Sequence, residues 1–195
     1  MILAEQHGVS GWYSTSDCLW SSTIAVRGKV TLGKYYGELK DLFVNKLGVM
    51  SLTPQMVYDE LRQPSQRNIE ETKMALFALN EFLEAAPIYL DPEPVRKAKI
   101  FPVRYPDATF VLGSIEMDFA IGDRGRLRAK FENKINLLDF DLGDVRRLKP
   151  FFDWLKLKDR YLSKWVRENT SISKVELPIS SKKRDLKYKA YHIAR

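Results

Sequence analysis

The sequence predicts an α+β fold: a mainly helical N-terminal lobe over residues 1–91, a small sheet with helices over residues 92–172, and a basic C-terminal tail over residues 173–195. Helical spacing of apolar residues dominates the first half, whereas short β-rich runs cluster in the second. The elements therefore do not alternate as parallel βαβ units would. With 45% hydrophobic residues in 195, the chain can bury a substantial core, either as one large domain or as two lobes sharing it.

Within "STIAVRGKVTL", Ile24, Val26, Val30 and Leu32 alternate around Gly28, which predicts a half-buried strand. In "YYGELKDLFVNKLGV", Tyr36, Leu39, Phe43 and Leu47 recur at helical spacing up to Gly48, a residue suited to a left-handed helix end. Thr53 followed by Pro54 marks the start of a second helix, closed before Pro64. The strongest helix lies in "SQRNIEETKMALFALNEFLEAAP", with Ser65 as the candidate cap and Ile69, Thr72, Leu76, Leu79 and Leu83 as the apolar stripe. "YLDPEPVRKAK" is a proline-punctuated connection, and the lobe boundary is expected near residue 92.

The second part opens with "IFPVRYPDATFVLGS", a hairpin turning at "YPDA". A brief helix is expected in "RLRAKFENK" and a short buried strand in "INLLDF". A helix capped by Asp141 follows, and Pro150 must either kink it or start another. A last helical patch contains Tyr161, Leu162, Trp165 and Val166.

Composition excludes several chemistries. One cysteine, Cys18, and two histidines, His7 and His192, cannot assemble a metal site of the usual Cys/His spacings or an internal disulfide. The reading is therefore a reducing compartment, cytoplasmic or nuclear. No run of about 18 apolar residues occurs, so no membrane partner is expected. Net charge is +7, but residues 181–195 hold six basic residues against one acid and so carry most of it. The basic character belongs to the tail, where Lys182, Lys183, Arg184, Lys187 and Lys189 are candidates for nucleic-acid contact or nuclear import.

"DFAIGDRGRL" asks whether a phosphate loop is present. Its glycines lack the spacing, the lysine and the hydroxyl residue of a Walker loop. Asp123, Arg124 and Gly125 match the start of the Asp-x-Gly-x-Gly element of histidine-kinase-like ATPases, but Leu127 stands where the second glycine belongs. A turn with Asp123 as helix cap is the alternative. Asp139, Asp141 and Asp144 are close enough in sequence for a Mg²⁺ or acid/base pair, although capping and the helix dipole account for two of them. Cys18 reads as a buried hydrophobe, and Trp12, Trp20, Trp154 and Trp165 as packing residues.

Four blocks, "CLWSSTIAVRGKVTL", "LKDLFVNKLGVMSLTPQMVYDEL", "AKIFPVRYP" and "LLDFDLGDVRRLKPFFDWLKLKDRYLS", resemble large fungal proteins of the NO VEIN and sacsin-like type. Those proteins carry a histidine-kinase-like, Hsp90-like ATPase at their N-terminal end. The resemblance, over roughly residues 15 to 170, is to the region beyond that ATPase, so no nucleotide-binding residue carries over and no cofactor is implied. It implies a non-catalytic interaction or scaffold module that binds a protein partner or oligomerises. Two alternatives stand beside it: a nucleic-acid-associated factor acting through the tail, and an enzyme using Asp123, Asp139 and Asp141.

Overall fold

The computed structural model describes residues 1–6, 8–63, 67–87 and 89–166, and its fold is mixed α and β. The chain opens with strands, a hairpin that the expected mainly helical lobe over residues 1–91 did not include. Strands β1 (Ile2–Gln6) and β2 (Val9–Tyr13) form an antiparallel hairpin in which Leu3 lies opposite Trp12 and Ala4 opposite Gly11. Alternation sends Ile2 and Ala4 inward and leaves Leu3 and Trp12 outward and exposed.

Strand β3 (Cys18–Trp20) is the centre of a parallel three-stranded sheet, flanked by β4 (Val30–Thr31) and β5 (Met50–Ser51). Only the end of the strand expected from Ile24 to Leu32 forms. The Ser21 hydroxyl both accepts from the Ile24 N–H and donates to the Ile24 carbonyl, fixing a turn there. Gly28 takes a left-handed φ of 74°.

The helix expected around Phe43 is real but broken into three pieces: α1 (Gly33–Tyr36), a 3₁₀ turn over Gly37–Leu39, and a π-helical turn over Asp41–Lys46. Gly33 is required at its start, because a Cβ there would lie 2.8 Å from the Ser21 carbonyl oxygen. The pieces turn Phe43 inward onto Trp20 and Tyr36 but leave Leu39 and Leu47 exposed. Gly48 closes the segment at φ 70°, letting the Val49 N–H return to the Phe43 carbonyl.

Helix α2 (Pro54–Arg62) starts as expected, with the Thr53 hydroxyl accepting from the Met56 N–H. Helix α3 (Ile69–Ala85) is capped by Asn68, not Ser65, which lies outside the described residues. Asn68 accepts from the Glu71 N–H while the Glu71 carboxylate accepts from the Asn68 N–H, a complete capping box. The proline-rich connection contains a short helix, α4 (Glu93–Lys97), whose Val95 is fully buried.

Strands β6 (Phe101–Arg104) and β7 (Phe110–Gly113) form the expected hairpin, and β8 (Leu137–Leu138) joins the other side of β6. Helix α5 (Gly125–Phe131) precedes β8, and α6 (Leu142–Arg147) follows it. Pro150 lies in the first turn of a separate helix, α7 (Lys149–Trp154), where its missing N–H costs no bond. The last described helix is α8 (Leu162–Trp165).

The main interior gathers residues of α2, α3, α4, β6, α6 and α7, so it runs continuously across residue 92. Phe101, Phe119, Phe140, Phe151 and Phe152 are its largest fully buried side chains. A separate small interior lies within the first 49 residues, around Ile2, Cys18, Leu32 and Phe43. A third, of Ala120, Leu127, Leu137 and Leu162, ties α5 to α8.

Candidate functional site

The acids singled out in the sequence do not converge. Asp123 does not cap α5, whose start carries no side-chain cap. Its Oδ1 instead accepts from the Ser163 N–H at 3.0 Å and so caps α8 from a distant turn. Asp141 caps α6 as expected, accepting from the Asp144 N–H at 2.7 Å. Asp139 is held by Lys73 of α3, Nζ to Oδ2 2.6 Å. Among the described residues, no three His, Cys, Asp or Glu side chains come together in a way that would hold a metal ion.

The Lys73–Asp139 pair is partly buried and fixes β8 to α3. Burial alone would lower the Lys73 pKa, but the hydrogen bond and charge of Asp139, with Glu70 behind them, raise it above the ordinary lysine value. A cation whose folded pKa is raised contributes stability below its ordinary value and loses it as the pH climbs through the raised one. Lys73→Met is therefore expected to cost about 1–2 kcal/mol at neutral pH. The gap to the parent should narrow as the pH enters the lysine range, measured by denaturant midpoints. A gap that stays constant with pH would refute the pairing argument.

Around Asp123 lies a cleft of about 500 Å³ whose lining includes Arg146, Lys149, Asp153, Lys158, Tyr161 and Lys164. Burial, then the charges of Asp153 and Asp123, raise the Tyr161 pKa, so its hydroxyl stays protonated near neutrality. Asp153 pairs with Lys149 and, at 3.9 Å, with Lys158. The cations and acids of the cleft largely balance. Ser163 offers a hydroxyl, but no histidine among the described residues lines the cleft to act as a base beside it.

A second hollow, of about 420 Å³, is unbalanced. Among the described residues, Arg62, Arg67, Lys97 and Lys99 line it and no acid does, although Arg62 pairs with Asp59 at 3.1 Å; the floor includes Leu61, Ala98, Ile100 and Leu112. It shares Arg67 and Leu112 with an open depression bounded by Asn68, Ile69 and Glu70 on one side and by Phe110 and Val111 on the other. The two therefore form one elongated groove between β7 and the start of α3. Burial lowers the Arg67 pKa; Glu60 opposes this, and Arg27 adds to it.

Exposed apolar side chains are concentrated elsewhere. Among the described residues, nine of the thirteen large ones belong to residues 1–50: Met1, Leu3, Val9, Trp12, Tyr35, Leu39, Leu42, Leu47 and Met50. Trp12 and Trp165 were expected to pack but are at least half exposed, whereas Trp20 and Trp154 do pack on the cores. Cys18 is fully buried, and burial, with Asp17 second, raises its thiol pKa, which suits a core residue and not a nucleophile.

Residues 55–166, more than half of the chain, match a family described as a domain of unknown function, DUF8348. The chain belongs to the DUF8348 family. No curated protein and no solved structure matches it. Both clefts lie in the DUF8348 segment, while the apolar surface of residues 1–50 precedes it. The tail candidates Lys182, Lys183, Arg184, Lys187 and Lys189 lie outside the described residues. No helix among the described residues is long and apolar enough to cross a membrane.

The groove cations of this DUF8348 protein were not singled out in the sequence. Arg62 comes from α2, Arg67 from just before α3, and Lys97 and Lys99 from the end of α4 and beyond. Only the run "RKAK" hinted at them, and it reads equally well as an ordinary solvated helix end.

Proposed function

We propose that this DUF8348 protein is a non-catalytic interaction module that associates with a protein partner or with a second copy of itself through the apolar surface of residues 1–50. The observation that carries the reading is the outward Leu3–Trp12 pair. These residues face each other across the hairpin, on the side opposite the small core, with Trp12 63% and Leu3 46% exposed. Large exposed apolar groups concentrated in one quarter of a chain are the usual mark of a contact surface. The resemblance to the region beyond the ATPase of NO VEIN and sacsin-like proteins supports the same reading, since such a region works beside other domains.

Sedimentation over a wide concentration range tests it. The parent chain is expected to self-associate, or to remain single and bind a hydrophobic dye. The double variant Leu3→Ser, Trp12→Ser should lose both properties while keeping its circular dichroism. If the parent is a single chain that binds dye no better than the variant, the reading fails.

A further inference from the structure

We propose that the groove between β7 and the start of α3 docks an acidic, extended segment of a partner protein, which adds to β7 as a further strand. The groove is separate from the apolar face of residues 1–50, so this inference does not depend on that surface.

The backbone supplies the first argument. Strand β7 is an edge, with β6 on one side and no strand on the other among the described residues. The register fixes which of its groups point outward. Pro102, opposite Leu112, has no N–H, and its carbonyl accepts from the Asp139 N–H on the β8 side. Tyr105 bonds the Thr109 carbonyl across the hairpin. In an antiparallel ladder, bonded and non-bonded pairs alternate, so Val111 faces β6 while the N–H and C=O of Phe110 and Leu112 point to the open edge. These are the groups an incoming extended strand uses.

The lining supplies the second. Edges are ordinarily guarded by charges of their own, yet "FVLG" carries none. The charges come instead from the surrounding wall, above all from Lys97 and Lys99. Lys97 and Lys99 are exposed and have no ion pair among the described residues, so their charge is available to a ligand. The floor is aliphatic, with Leu61, Ile100 and Leu112, and suits alternate apolar side chains of a strand. Single-stranded nucleic acid would instead need a row of stacking aromatics, and among the described residues only Phe110 is present along the groove.

The test is fluorescence anisotropy of the whole chain with a fluorescein-labelled peptide of about seven residues in which glutamate alternates with valine. Saturable binding is expected, weakened about tenfold or more by Lys97→Glu with Lys99→Glu, which are surface positions that should not disturb folding. Lys34→Glu with Lys40→Glu, far along the chain, should leave it unchanged. The same peptide with alternate backbone amides N-methylated should bind at least about tenfold more weakly, because strand addition needs those N–H groups. Equal binding of the methylated peptide would overturn strand addition, and equal binding to the groove variant would overturn the site. Tighter competition by oligothymidylate than by unlabelled peptide would overturn the assignment to a polypeptide. Failure to bind the acidic peptide, with self-association appearing in Lys97→Ala and Lys99→Ala, would show that the cations only guard the edge.

Discussion

Asn80→Leu is expected to destabilise the protein by about 2–6 kcal/mol, although leucine fills a similar space. Asn80 lies on α3 and is fully buried. Its amide nitrogen donates to the Arg147 carbonyl at 3.0 Å, and its amide oxygen accepts from the Phe151 N–H at 3.0 Å. The two partners are the last carbonyl of α6 and a first-turn N–H of α7, groups that helix geometry leaves without an internal bond. Pro150 has no N–H of its own, so Phe151 is the donor that Asn80 satisfies. Leucine leaves both groups buried and unpaired, at about 1–3 kcal/mol each. Asn80→Ala would add a cavity to the same loss. Urea unfolding of the three proteins decides the matter. A leucine variant within about 0.5 kcal/mol of the parent would mean that volume, not hydrogen bonding, is what the site requires.

Arg160→Ala is expected to cost about 3–5 kcal/mol, which for a chain of this size lowers the melting temperature by about 2–4 °C per kcal/mol. The guanidinium donates to the carbonyls of Ile115 and Met117, each at 2.7 Å, and to that of Phe119 at 3.3 Å. It also lies over the Phe119 ring, 4.4 Å from its centroid. The segment between β7 and α5 has little regular structure, and one fork of donors gathers three of its carbonyls. Arg160→Lys should recover less than half of the loss, because a single ammonium cannot span carbonyls that a planar fork reaches together. Calorimetry showing full recovery by lysine would sink that account.

Both residues illustrate what was legible in the sequence. Signals that act within a few residues were readable: Thr53 with Pro54, Asp141 ahead of α6, Gly48 at a helix end, and the hairpin around "YPDA" all do what their chemistry suggests. The cap of α3 was also readable, because Asn68 and Glu71 have the capping-box spacing that Ser65 lacks. What local patterns could not reach are partnerships across the chain. Asp123 sits beside a helix start yet serves Ser163, and Asn80 interrupts an apolar stripe in order to serve two other helices. The opening hairpin was missed because its strands are five residues each and carry few β-branched side chains. The groove needed Arg62, Lys97 and Leu112 from three separate segments, a meeting that no spacing rule encodes.

The small interior of the first 49 residues also bears on how the chain comes apart. Among those residues the main core takes only Ile24, from the turn after β3, as a buried member, with Val26 at its margin. The Arg27 N–H adds a bond to Glu60 of α2. Two cores joined by so few contacts need not melt as one cooperative unit. The N-terminal part can open as a sub-global unit of its own, at a lower free energy than the phenylalanine-rich main core. Association through the Leu3–Trp12 face would then stabilise the weaker unit selectively, coupling partner binding to the local order of the hairpin that makes the contact.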